Sequence, residues 1–185
     1  MKKLIVIMMF VNGNAVAGEF DDVLNFKDAL QILAGGVTAL AIHELGHEAV
    51  AQYRGDDLDW SIGGTFEASC ITPENPDCNM RPIALGGFGA QIISNHVILS
   101  YKDKLTEDGH WRNSYWPAIM FWNTVHHGFY IFRNEDSEYG TGDFKPFERD
   151  EQRYIEAALV LNAVATWYRW PITTDGKRII FRKEW

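Results

Sequence analysis

The stretch Ala41-Ile42-His43-Glu44-Leu45-Gly46-His47 decides how this chain reads. It is an H-E-x-x-H pattern inside an apolar run that begins near Ala29 and stops at Gly55. Wound as a helix, the run places His43 and His47 one turn apart on one face. Two imidazoles at that spacing can grip one Zn²⁺, with Glu44 beside the open coordination position as general base. The plain alternative is a pair of hydrogen-bonded core histidines and a solvated glutamate. It fits poorly, because Leu, Ala, Ile and Val surround all three groups and a buried unpaired carboxylate is costly.

Working outward, Asp28 is placed to cap this first helix, which the pattern predicts over Ala29 to Arg54. Leu58 to Ile83 holds Gly63-Gly64, Pro73, Pro76 and short β-prone pieces, which predicts a small irregular hairpin. A second helix is expected from about Gly86 to Tyr101, with Gly87 and Gly89 allowing close helix contact. Trp116 to Phe132 is a third apolar stretch, interrupted by Pro117 and carrying Asn123, His126 and His127. A fourth helix is expected from about Glu151 to Trp170, ended by Pro171. The fold class is therefore mainly α, a bundle of about four apolar helices, membrane-embedded, with a hairpin insert after the first.

The chain has 185 residues and a formal net charge of -8, so it can form one domain with a core and lacks the basic face a nucleic acid would need. Lys2 and Lys3, the apolar run Leu4 to Val11 and Ala15-Val16-Ala17 read as a secretory signal over residues 1–17. Residues 18–185 then form a single helical domain. The alternative is an uncleaved N-terminal anchor. Either way the chain is addressed to a membrane or beyond it: a bacterial-type inner membrane, or alternatively the periplasm.

Around the zinc motif the residues resemble the site-2 protease family of membrane-embedded zinc metalloproteases. His43-Glu44-Leu45-Gly46-His47, then Ala51, then Gly55 follow that family's spacing. Ser61-Ile62-Gly63 and Ile83-Ala84-Leu85-Gly86-Gly87-Phe88 look like its next two segments, and Pro171-Ile172-Thr173-Thr174-Asp175-Gly176 is similar to its late turn. The family's Asn-x-x-Pro lead-in to that turn is missing. The resemblance implies a zinc metalloendopeptidase with His43, His47 and Asp175 as ligands and Glu44 as catalytic base. It further implies a protein or peptide substrate, a membrane protein among them, in or at a lipid bilayer. The metzincin pattern fails, since it needs Gly at Val50 and His at Tyr53.

A catalytic zinc takes three protein ligands and one open position. Asp175, on a Pro- and Gly-flanked turn, is the first candidate for the third. Asp143 in Gly-Thr-Gly-Asp-Phe is the next by the same logic, followed by His126 and His127. The signal and the basic tail predict three crossings plus one partial or surface-lying segment at Pro117, with Cys70 and Cys78 reduced on the cytosolic side. Two other functions stay open on the residues alone: a soluble periplasmic zinc peptidase, and a non-catalytic zinc-binding membrane scaffold.

Overall fold

The computed structural model describes residues 26–62, 66–70, 79–107, 110–135, 142–169, 173–174 and 179–180. The signal over 1–17, Cys78, the side chain of Cys70 and Asp175 lie outside the described residues. Four long helices carry the fold: α1 Phe26–Arg54, α2 Met80–Ser100, α3 Tyr115–Glu135 and α4 Arg149–Arg169. The shorter helical pieces among the described residues are the single turn Lys102–Leu105 and the 3-10 turn Gly142–Phe144. Between α1 and α2 the strands β1 Leu58–Ile62 and β2 Phe66–Cys70 pair antiparallel, with Leu58 opposite Cys70 and Ile62 opposite Phe66. Two-residue pairs also form at Thr106–Glu107 with His110–Trp111 and at Thr173–Thr174 with Ile179–Ile180.

α1 ends where its glycine predicts. Gly55 takes φ 76, and the amides of Gly55 and Asp56 return to the carbonyls of Gln52 and Ala51. That left-handed closure satisfies the last helical carbonyls at no Cβ cost. α2 starts six residues earlier than its apolar pattern suggests, because Asn79 caps it: the Arg81 amide donates to Asn79 Oδ1 at 3.0 Å. Pro117 does not break the third stretch. It sits in the first turn of α3, where no backbone N–H is called on, and the helix continues through all 21 residues. The stretch that Pro117 was expected to interrupt is thus one unbroken helix.

Contacts set the packing order. α1 and α2 run antiparallel, with the Gln91 amide on the Ala39 carbonyl and His47 on the Ile83 carbonyl. α1 and α3 run parallel, linked by Asp28 to Ser114 at one end and by the His43 and His126 rings further along. α1 and α2 touch backbone to backbone at Gly46 and Gly86, where a Cβ on either would run into the other's carbonyl. One apolar cluster gathers Ala39, Ile98, Ile119 and Met120; a second joins Phe88, Ile131, Phe144 and Leu159 across α2, α3 and α4. The hairpin is strapped to α1 by the Trp60 indole N–H, which donates to Glu48 Oε2 at 3.0 Å.

Large apolar side chains also face outward on every long helix. Leu33 and Val37 of α1 are 63% and 69% exposed, Ile93 of α2 64%, Phe129 of α3 55% and Leu161 of α4 69%. α1 and α2 are long and apolar enough to cross a membrane, by length and composition.

Candidate metal centre

The helical spacing of His43 and His47 does what it promises. Both rings are buried on the inner face of α1, and their Nε2 atoms lie 3.1 Å apart. The outer nitrogen of each ring is engaged. His47 Nδ1 donates to the Ile83 carbonyl at 2.7 Å, and a carbonyl can only accept. His43 Nδ1 meets Gln91 Oε1 at 3.2 Å. With the protons held there, both Nε2 lone pairs point into the space between the rings.

A third group enters that space from a connection. Asp143 lies in the 3-10 turn Gly142–Phe144 between α3 and α4. Its Oδ2 is 2.8 Å from His43 Nε2 and 3.4 Å from His47 Nε2. The turn is pinned from several sides. Phe144 is fully buried in the second apolar cluster, and Gln152 of α4 donates to the carbonyls of Phe144 and Phe147. Arg81 of α2 donates to the Pro146 carbonyl. Gly142 takes φ 53, and a Cβ there would sit 2.9 Å from the Tyr130 ring. Burial pushes the Asp143 carboxyl up, but hydrogen bonds from His43 and His47 outweigh it and hold the group well below the usual carboxylate range.

Two imidazole lone pairs and a carboxylate oxygen converging this closely repel one another unless a positive charge sits among them. Protons on the ring nitrogens can supply that charge. A divalent ion would displace them, which is how such sites couple metal binding to proton release. Ligands about 2.0–2.2 Å from a tetrahedrally bound ion stand about 3.3–3.6 Å from each other. The separations here are 2.8, 3.1 and 3.4 Å, so the two shorter ones open by a few tenths of an ångström when an ion enters. His43, His47 and Asp143 therefore form a group that can hold a metal ion. The helix packing leaves room for it. A Cβ on Gly87 would come within 2.6 Å of the His43 ring and 2.7 Å of the His47 ring.

Glu44 is half-buried on the same turn and lies close enough to feel the charges of His43, His47 and Asp143. His126 stands beside the group, its ring 4.6 Å from that of His43, with Nδ1 facing the Gln91 amide at 3.2 Å. His127 points elsewhere. It is buried against Phe88, and neither of its ring nitrogens has a partner among the described residues. Asn123 is turned into α2, where its Nδ2 donates to Ser94 Oγ and Asn95 Oδ1. So the structure brings Asp143 to the histidines, places His126 next to them and sends His127 and Asn123 to another interface.

Gln91, Gly87 and Tyr130 belong to the surroundings of the group and drew no attention as site residues. A glutamine inside the apolar run Ile83 to Ile93 of α2 was the available signal, since an amide there is expensive without partners. No protein-family model, no curated protein and no solved structure matches this chain.

Proposed function

We propose that this protein is a zinc-dependent endopeptidase that hydrolyses peptide bonds in or at a bacterial-type inner membrane, with His43, His47 and Asp143 as ligands and Glu44 as general base. The observation that carries the reading is the convergence of those three ligand atoms beside the helical turn that carries Glu44. A donor set of two imidazoles and one carboxylate suits zinc and leaves a fourth position for water or substrate. Zinc held there lowers the pKa of bound water toward neutrality and polarises the substrate carbonyl.

The chain's own groups account for the proton traffic. Glu44 takes the proton of the attacking water as the new C–O bond forms, then returns it to the amide nitrogen as the C–N bond breaks. Ile83 and Gln91 hold the imidazoles in the ligand tautomer, as outer partners of metal-binding histidines do. The resemblance of Ala51, Gly55 and the Ile83–Phe88 segment to site-2 proteases supports a protein or peptide substrate. The outward apolar side chains on all four helices support a lipid surround, since a water-exposed bundle would bury them or place them singly.

The test uses detergent-purified, zinc-loaded protein and an unfolded polypeptide. Glu44→Gln is expected to keep zinc at full stoichiometry and to lose about 10²- to 10⁴-fold in kcat. Full cleavage by that variant would defeat the assignment. Stoichiometric zinc with no cleavage by the wild-type protein would leave a metal-binding scaffold instead. Release by osmotic shock without detergent would favour a periplasmic peptidase.

A further inference from the structure

His126 stands in the wall of the metal group without contributing a ligand atom to it. We propose that Gln91 fixes His43 and His126 in opposite tautomers, so that His126 presents an Nε2–H to the reacting carbonyl oxygen. The deduction starts from one buried amide. Gln91 is fully buried, and its Nε2 donates to the Ala39 carbonyl at 3.2 Å, which sets which end of the amide is nitrogen. Its Oε1 then faces His43 Nδ1 at 3.2 Å, so that nitrogen carries the proton and His43 Nε2 is free to bind metal.

The same Gln91 Nε2 faces His126 Nδ1 at 3.2 Å. Gln91 Oε1 is farther from that nitrogen, at 3.4 Å, and is already taken by His43. His126 Nδ1 is therefore an acceptor, and the neutral ring keeps its proton on Nε2. That ring stands edge-on to His43 at 4.6 Å and to Tyr130 at 4.9 Å. A fixed, uncharged N–H in this position stabilises charge that develops on an oxygen beside the metal. The donor is not consumed: the water proton goes to Glu44 and on to the leaving nitrogen, while the His126 proton stays in place.

This inference rests on the peptidase reading, but the tautomer can be measured apart from it. ¹⁵N spectra of histidine-labelled, zinc-loaded protein, with the His126 signals assigned by their loss in His126→Phe, are expected to show the Nε2–H form. An Nδ1–H form overturns the proposal whether or not the protein cleaves peptides. In turnover, His126→Phe is expected to lose about 10²- to 10³-fold in kcat with KM and zinc content nearly unchanged; unchanged kcat overturns it. Gln91→Glu puts an acceptor on both imidazoles and forces His126 to Nδ1–H. It is expected to keep zinc, to match the His126→Phe loss and to add nothing to it in the double variant. Additive losses overturn the positioning role of Gln91. If Gln91→Glu does not fold, the spectra and His126→Phe decide. Absence of cleavage in the wild type defeats the peptidase reading alone.

Discussion

His126 and His127 are neighbours in sequence and opposites in the fold. His126 joins a connected polar set in which Gln91 links it to His43, and His43 to Asp143. His127, about 100° further round α3, packs against Phe88 of α2 with both ring nitrogens unpartnered among the described residues. Asn162 and Thr166, four apart on α4, are buried and unpartnered in the same way. The bundle thus holds one buried polar set whose members are connected and other buried polar side chains, on α3 and α4, that are left without partners among the described residues. Buried polar groups are tolerated in both, but only the connected set orients its members, and only orientation produces a ligand group.

That contrast can be broken most decisively at the ligands. His43→Ala and Asp143→Ala are each expected to lower zinc affinity by more than the roughly 100-fold that loss of an outer partner reaches, read by metal analysis after dialysis. Asp175→Ala is expected to keep full zinc. Retention by Asp143→Ala together with loss by Asp175→Ala would move the third ligand to the late turn and remove the α3–α4 connection from the site.

A smaller effect is expected at Gly87, where no ligand is itself replaced. Gly87→Ala places a methyl against both imidazoles, an overpacking of about 1–3 kcal/mol, or roughly five- to 150-fold in zinc affinity. Competition with a chromophoric chelator measures it, and an unchanged affinity would show that the rings have slack the structure does not display.

The smallest effect belongs to the side chains outside the connected set. His127→Leu replaces an imidazole that has no partners among the described residues with a side chain of similar bulk, so zinc content and turnover should stay as they are. Thermal unfolding in detergent should shift upward by the equivalent of about 1 kcal/mol, because an unmet buried polar group is removed. Destabilisation beyond that size, or loss of zinc, would mean that His127 belongs to the connected set after all.

Much of the fold was legible along the chain, since it rests on local rules. The period of the apolar residues marks α1 and α4 to within a few positions, Gly55 marks a helix end, and the Gly- and Pro-rich stretch marks the hairpin. The misreadings were local chemistry as well. Asn79 extends α2 by six residues, and Pro117 is harmless in a first turn. The site was legible only where it is local. His43, Glu44 and His47 share one turn, so their spacing carries the meaning. Asp143 is 100 residues from His43 and looked like one of several turn carboxylates until Phe144 and Gln152 anchored its loop.

By itself the sequence determined that one helical turn carries two imidazoles and a carboxylate, because side chains four apart on a helix must share a face. Only the tertiary structure decided which carboxylate meets them and which nitrogen of each ring is free. Those depend on a backbone carbonyl at Ile83, one buried amide at Gln91 and the missing Cβ of Gly87, and long-range packing alone brings these into contact.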